Sequence, residues 1–221
     1  MQIRPPNAAT EQLNRDLDSA GTVVRHVVID PSPSSSSSPP DHADHRRAII
    51  LAVEAEMSSW TSTTDEIPDV NYLKANAMTG TPITAREFLG PNWEARRGTL
   101  LLRGHTPCYL NSYFAGDDDE RDANVVPLPP HESESAGAGY AYAFTEPPYR
   151  LNLSRPDIIR LFERTVHHFL PALTDPRTTL FRWPTEWSRY FDAGHEWWGS
   201  FAWTYGTSTG PIVAVFASST D

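Results

Sequence analysis

The chain has 221 residues, a formal net charge of −10 and 11% aromatic residues, with Cys108 as its one cysteine. This acidity argues against a protein that binds nucleic acid through a basic face, and against docking on an anionic membrane. The aromatic content excludes a wholly disordered chain, and a single cysteine cannot form an intramolecular disulfide. With a polar N-terminal segment that lacks a secretory signal, these features predict a cytoplasmic protein.

The N-terminal region divides into an arm and a linker. Residues 1–30 are predicted to form the arm, with a short helix around residues 8–19 and an edge strand over residues 22–29. The second element reads TVVRHVVI, which is β-branched and typical of a strand. The linker is PSPSSSSSPP, residues 31–40, where proline blocks regular hydrogen bonding and serine adds little burial. Residues 41–221 are then predicted to form a single globular domain.

Two long helices are predicted in this domain. The first covers residues 41–60, with Asp41 as its N-cap and an apolar face of Ile50, Val53, Met57 and Trp60. The second begins at Ser154 and ends before Pro171, with a buried stripe of Ile158, Phe162, Val166 and Phe169. Between them, residues 61–82 are interpreted as loop, and residues 84–90 as a short helix with a capping box.

Strands are predicted in the middle and at the end of the chain. The strand candidates are residues 98–104, 108–114, 137–145 and 178–184, followed by a hairpin of residues 200–205 and 211–219 around GTSTG. The order of helices and strands favours an α+β fold over a regular βαβ alternation. We expect an antiparallel or mixed sheet of about five strands, with the two main helices packed on one face and the hairpin at the C-terminus.

The segment YFDAGHEWWG, residues 190–199, carries the candidate catalytic residues. Because the ordinary pKa of histidine lies near neutrality, His195 is the candidate general base, and Asp192 or Glu196 would orient its ring. We expect this segment to be a glycine-bent entrance to the next strand, turning at Gly194. In an extended chain, the adjacent side chains of His195 and Glu196 would point to opposite faces, which argues against a joint role. The other interpretation is a structural histidine with solvated carboxylates.

The remaining polar and aromatic features favour structural roles. Phe201, Trp203 and Tyr205 alternate along one strand, which is typical of a core face. His167 and His168 suit the negative end of their helix. Cys108 is interpreted as a small buried hydrophobe, and the acidic run at residues 116–122 as a solvated loop that lacks the EF-hand spacing.

No catalytic or cofactor signature stands out in the sequence. The chain has no phosphate loop, dinucleotide fingerprint, serine-hydrolase elbow or paired C-x-x-C, and Gly199 occupies the place where an H-E-x-x-H zinc motif needs histidine. We therefore expect no cofactor and no bound metal.

The leading hypothesis is a non-catalytic factor that binds another protein, for example an immunity-type inhibitor of a basic toxin or nuclease. Its binding residues would be Trp187, Trp197, Trp198, Asp192 and Glu196, because aromatic anchors and complementary charges dominate protein interfaces. The alternative hypothesis is a small hydrolase or transferase with its site at Asp192, His195 and Glu196.

Overall fold

The computed structural model describes residues 1–31, 40–60, 70–94, 99–100, 102–104, 125–127, 139–208 and 210–218. The predicted strand at residues 108–114, the acidic run at residues 116–122 and Cys108 lie outside the described residues. In chain order, the elements before residue 130 are β1 Gln2–Ile3, α1 Ala8–Ala20, β2 Val24–Asp30, α2 His42–Trp60, α3 Tyr72–Ala77, β3 Thr81–Pro82, α4 Ala85–Leu89, β4 Trp93–Glu94, β5 Thr99–Leu100, β6 Leu102–Gly104 and β7 Val125–Pro127. The later elements are α5 Tyr140–Thr145, α6 Arg155–Phe169, β8 Thr179–Arg182, a 3-10 helix Arg189–Phe191, α7 Asp192–Trp197, β9 Ser200–Gly206 and β10 Ile212–Ser218.

One antiparallel sheet of six strands organises the fold, in the order β1-β2-β10-β9-β8-β3. The C-terminal strands β9 and β10 pair from Ser200 opposite Ser218 to Gly206 opposite Ile212. Strand β10 lies inside the sheet, between β9 and β2, as its apolar sequence predicts. The prediction of an α+β fold with an antiparallel sheet and a C-terminal hairpin is confirmed.

Helices cover both faces of the sheet. Phe201, Trp203 and Tyr205 of β9 point into one core cluster with residues of α1, α4, α5 and α6, which confirms the predicted aromatic core face. The intervening Ala202 joins a second cluster with residues of α2. The two main helices, α2 and α6, therefore lie on opposite faces rather than on the one face we expected. The reason is β10, whose alternate side chains are apolar on both sides and need a helical layer on each.

The N-terminal strand β2 is part of this sheet and pairs with β10 along six residues. On its other side, β1 pairs only with Ile29 and Asp30, and the Arg4 amide adds one bond to the Val28 carbonyl. Pro5 and Pro6 follow directly, and proline has no N–H with which to extend the ladder. Among the described residues, most of β2 therefore has no strand beside it on that side, while the division into arm, linker and domain stays a prediction.

Local sequence signals place four of the predicted helices correctly. In α2, the amide of Asp44 donates to the Asp41 carboxylate at 2.8 Å, and the Asp41 amide donates back to Asp44 at 3.1 Å. In α4, Thr84 and Glu87 form the predicted capping box. Helices α1 and α6 also occupy their predicted ranges. Among the described residues, none of the helices combines the length and apolar character that crossing a bilayer requires.

Two interpretations of the middle of the chain are wrong. Residues 140–145, predicted as part of a strand, form α5, because Tyr140 and Phe144 are also four residues apart and are both buried on one helical face. Gly139 allows this, since a Cβ there would lie 2.5 Å from the Gly90 amide nitrogen. Residues 61–82, predicted as loop, contain α3 and β3, and α3 begins where the Asn71 side chain accepts a hydrogen bond from the Lys74 amide.

Candidate functional site

The segment that carries the predicted site residues is helical, not an extended strand entrance. It forms the 3-10 helix followed by α7, and the chain then turns into β9 at Gly199, whose φ is 145°. The positive φ therefore belongs to Gly199 and not to Gly194, where we expected the bend. Gly194 lies inside α7 and is buried, and a Cβ at this position would clash with the Gly199 carbonyl oxygen. Close packing of α7 on the start of β9 explains the need for glycine.

The helical conformation brings the three candidate catalytic residues to one face. Asp192, His195 and Glu196 stand at positions i, i+3 and i+4 of α7, which are neighbours on a helix surface. All three side chains are exposed. The expectation that His195 and Glu196 point to opposite faces is therefore wrong, because it assumed an extended chain.

The imidazole of His195 has a hydroxyl partner. Its Nε2 lies 2.7 Å from the Oγ1 of Thr185, a residue that is only 7% exposed. This contact ties α7 to the turn that precedes the 3-10 helix. Within the described residues, no hydrogen bond or ion pair joins His195 to Asp192 or Glu196, so neither carboxylate orients the ring. The contact itself is a structural hydrogen bond at the margin of an exposed helix.

The predicted tryptophan anchors differ in their environments. Trp187 is 2% exposed, and its Nε1 donates to the Pro184 carbonyl at 2.8 Å. It holds the turn together and does not present its ring to a partner, so that prediction is wrong for Trp187. Trp198 is half-buried, and its Nε1 donates to the Glu146 carbonyl at 2.5 Å. The side chain of Trp197 lies outside the described part of the structure.

Most carboxylates in the described residues have a structural partner. Arginine side chains form ion pairs with Glu11, Asp16, Asp18, Asp30, Asp44, Glu56, Asp157 and Asp175. Asp41 and Glu87 cap helices, and Glu54 accepts a hydrogen bond from the hydroxyl of Tyr72. Four other exposed carboxylates have neither an ion pair nor a capping role among the described residues: Glu163 on α6, and Glu186, Asp192 and Glu196 in one stretch of chain. Of these, Glu186 accepts a hydrogen bond from the Thr185 amide at 3.1 Å, while Asp192 and Glu196 stand on the exposed face of α7.

The first turn of α3 lies beside this stretch. Val70 forms an antiparallel bridge with Ser188, and the Asn71 amide donates to the Trp187 carbonyl at 2.9 Å. Tyr72 and its neighbour Leu73 are 57% and 87% exposed.

We define the α3–α7 surface as Tyr72, Leu73, Glu186, Asp192, His195 and Glu196. It also includes the exposed cations Lys74 and Arg189, against the three carboxylates of Glu186, Asp192 and Glu196. Sequence reasoning missed the α3 part of this surface. The available signal was Asn71 followed by YLKANA, a capping residue before good helix formers.

A second group of polar residues, also missed, is buried or half-buried beneath α1 and α6. The His26 ring stacks on Phe169 with centroids 4.6 Å apart, and its Nε2 lies 2.9 Å from the Tyr140 hydroxyl. Burial, aided by the nearby charge of Arg25, lowers the pKa of His26 to about 3. His168, expected only to complement the helix dipole, also makes a 2.9 Å contact with Thr10 of α1. His26, Phe169, His168 and Thr10 line part of a cavity of about 460 Å³.

A third histidine, His45, is fully buried against the opposite face of the sheet. Its Nδ1 lies 2.9 Å from Thr204 Oγ1, and its Nε2 lies 3.0 Å from Thr179 Oγ1. Burial lowers its pKa to about 4, which keeps the ring neutral at physiological pH. Both ring nitrogens are satisfied, so the arrangement supports the core.

The described residues contain no group of three or more His, Cys, Asp or Glu side chains positioned to hold a metal ion. The cavity beside His26, and two others along α1, have linings that do not include Asp192, His195 or Glu196. In the described part of the chain, the three candidate residues are exposed on α7 and line none of these three cavities. Comparison with protein-family models, curated proteins and solved structures finds no match to this chain.

Proposed function

We propose that this protein is a non-catalytic cytoplasmic factor that binds a basic partner protein through the α3–α7 surface. An immunity-type inhibitor of a basic toxin or nuclease is the kind of protein that would work in this way. The observation that carries the proposal is that two exposed carboxylates of α7, Asp192 and Glu196, have no ion pair among the described residues, whereas arginines pair with eight carboxylates elsewhere in that part of the molecule.

Unpaired carboxylates favour a basic partner for a simple electrostatic reason. A carboxylate that already faces an arginine must lose that partner before it can bind a new cation, whereas an unpaired one loses only water. The formal net charge of −10 adds a long-range attraction that steers a basic protein toward the surface. At physiological ionic strength this attraction is screened over about 8 Å, so the charges nearest the partner matter most.

The alternative, a hydrolase or transferase at Asp192, His195 and Glu196, stays a prediction that no observation in the structure favours. A catalytic site needs convergent polar groups in a cleft that excludes water, and these side chains are exposed on a helix of six residues. Compartment also stays a proposal, supported by the presence of one cysteine in the whole chain.

The test uses the proteins encoded by the genes on either side of this one, because inhibitors and their toxins are commonly produced together. Each purified product is titrated against the full chain, and affinity is measured by calorimetry at several salt concentrations. For a true partner, Asp192→Lys with Glu196→Lys should weaken binding by at least tenfold and flatten the salt dependence, since two attractive charges become repulsive.

The matched control is Glu163→Lys, which changes another exposed carboxylate without an ion pair, on α6 and outside the α3–α7 surface. It should leave affinity within about twofold of the original. An equal loss of affinity in the control and in the double variant would show that binding depends only on net charge and not on the α3–α7 surface. Binding that is indifferent to the double variant, or an absence of binding to either product, would contradict the proposal.

A further inference from the structure

We infer that the outer edge of β2 and the α1 face beside it form a groove that binds an extended peptide segment of another protein. The segment lies antiparallel to β2 and in line with β1, with an apolar side chain opposite His26 and a basic residue at its C-terminal end. We define the β2–α1 groove by residues 24–27 of β2 and by Asn7, Thr10, Asn14 and Asp18. It shares no residue with the α3–α7 surface, so the inference goes beyond the proposed function.

Backbone hydrogen-bonding groups on this edge of β2 are unused. The Val28 carbonyl accepts the Arg4 amide, so the backbone groups of Val28 face β1. Because residues alternate along a strand, the N–H and C=O of His26 and Val24 face the same way, whereas those of the intervening residues face β10. Within the described residues, no backbone hydrogen bond reaches His26 or Val24 from this side. Such an edge is a template for the backbone of another extended chain.

Open space follows the same edge. Two cavities, of about 460 and 330 Å³, share Asn14, His26 and Val27 in their linings. The smaller one is lined by four consecutive residues of β2, from Val24 to Val27. Successive side chains of a strand point to opposite faces, so consecutive residues border one cavity only along the edge of the strand. From Val24 to Val28 this edge is about 13 Å long, which is room for about five residues of extended chain.

One face of α1 forms the wall of the groove. Asn7, Thr10, Asn14 and Asp18 recur at intervals of three and four residues, which places them on one side of the helix, and each lines at least one of the two cavities. The half-buried amide of Asn14 makes no side-chain hydrogen bond among the described residues. In the same part of the structure, the Nδ1 atom of His26 is buried without a hydrogen-bond partner. The Asn14 amide offers donors and an acceptor to the backbone of a bound segment.

The larger cavity favours an apolar side chain opposite His26. Side chains of opposite residues in an antiparallel pair share a face of the sheet, so that side chain lies on the face where the His26 ring stacks on Phe169. Beside the polar residues of α1, the larger cavity is lined by Ile3, Val28, Phe169 and Pro171. These residues present apolar surface, and an aliphatic side chain that covers it is removed from water.

The other end of the groove favours a basic residue. Asp18 and Glu56 both pair with Arg25, so two carboxylates face one guanidinium beside Val24. A segment antiparallel to β2 has its C-terminal end there, because β1 runs in that direction along Asp30 and Ile29. A lysine or arginine at that end of the segment complements the excess negative charge.

Amide hydrogen exchange on the full chain tests whether the edge is open. The His26 amide should exchange at least tenfold faster than the amides of Arg25 and Val27, which face β10. Equal protection of the three amides would overturn the inference, because the edge would then be paired already.

Binding is tested with an acetylated peptide of alternating threonine and leucine that ends in lysine, Thr-Leu-Thr-Leu-Thr-Leu-Lys. In the inferred register the leucine amides face β2 and the threonine amides face away from it. Methylating the leucine amides should therefore weaken binding at least tenfold, whereas methylating the threonine amides should leave affinity within about twofold. Replacing the lysine by glutamate should weaken binding at least threefold, and equal affinity would overturn the basic end of the segment. In NMR titrations the unmodified peptide should move the signals of residues 7–18 and 24–28.

A variant of α1 tests the groove from its wall. Asn14→Trp fills the groove with a large side chain and should weaken the unmodified peptide at least tenfold. Ser19→Trp is the matched control, because Ser19 lies on the same helix but lines neither cavity of the groove. It should leave affinity within about twofold, and circular dichroism checks that both variants are folded.

The outcomes separate this inference from the proposed function. Asp192→Lys with Glu196→Lys should leave affinity for the peptide within about twofold, because the groove contains neither residue. Equal affinity of the two methylated peptides, equal effects of the two tryptophan variants, or an absence of binding would overturn the groove and leave the proposed function standing. Signal shifts confined to residues 72–77 and 186–196 would overturn the groove as well, since the peptide would then bind the α3–α7 surface.

Discussion

The region beneath α1 and α6 and the α3–α7 surface contain the same kinds of polar residue in opposite situations. Beneath α1 and α6, His26 is half-buried and stacked on Phe169, and Asp16 and Asp18 pair with arginines. On the α3–α7 surface, His195 and the carboxylates of Asp192 and Glu196 are exposed and have no ion pair among the described residues. Residue type alone therefore does not separate structural from binding residues. What separates them is whether each side chain has a partner within the fold.

The largest effect is expected where a predicted binding residue proved to be structural. Trp187→Ala should lower the free energy of unfolding by about 3–5 kcal/mol, because it empties a site in the second core and removes the hydrogen bond to Pro184. Urea denaturation followed by circular dichroism measures the change. If Trp187→Ala lowers the free energy of unfolding by less than about 1 kcal/mol and nevertheless abolishes partner binding, Trp187 is a binding residue. The contrast between the two regions would then be wrong for this residue.

Acid should unfold the molecule through its buried histidines. The pKa values of His26 and His45 are lowered to about 3 and about 4, below the ordinary value of 6.5, so the unfolded chain binds more protons at intermediate pH. Stability should be full above pH 6.5 and should fall as the pH drops toward 4, by about 2 kcal/mol for each histidine between pH 7 and 5.

Unfolding free energies measured at pH 7 and pH 5 test this expectation. His45→Gln keeps hydrogen-bonding groups without a titrating ring, so its stability should depend less steeply on pH even if it is lower overall. His195→Gln is the matched control, because that imidazole is exposed. A His45→Gln protein with the pH dependence of the original chain would contradict the assignment.

The Thr185–His195 contact should have a moderate effect. Thr185→Val removes the hydroxyl that lies 2.7 Å from the imidazole and should cost about 1 kcal/mol of stability. His195→Ala should cost a similar amount, and the double variant should cost less than the sum because both changes remove one interaction. Thermal melts of the original protein, the two single variants and the double variant measure the four stabilities of this double-mutant cycle. Strict additivity would mean that the contact does not tie α7 to the turn.

The smallest effect on stability is expected on the α3–α7 surface itself. Asp192→Asn with Glu196→Gln should change the free energy of unfolding by less than about 0.5 kcal/mol, because neither side chain has an ion pair among the described residues. Asp16→Asn at the α1–α6 ion pair provides the comparison, with Arg164 left behind. A marked destabilisation by the first pair of changes would show that the two carboxylates serve the fold.

Several helices and strands could be predicted from local signals in the sequence. Asp41 and Thr84 cap their helices as predicted because capping involves residues only three positions apart. The terminal hairpin was predictable because two strand-like segments flank a loop bounded by glycines. The same kind of reasoning failed at residues 140–145, because the spacing of the aromatic side chains there fits both a strand and a helix. Burial of these side chains against α4 and α6 favours the helix.

The sequence by itself determined the α+β class, the order of the main elements and the acidity of the surface, because these depend on composition and on spacings within a few residues. Tertiary structure decided which face each long helix covers, that Trp187 is buried, and that Asp192, His195 and Glu196 share one face of a helix. It also decided which carboxylates are left without an arginine. Those facts depend on contacts between residues far apart in the chain, such as Asp16 with Arg164 and Asn71 with Trp187, and no local pattern encodes such contacts.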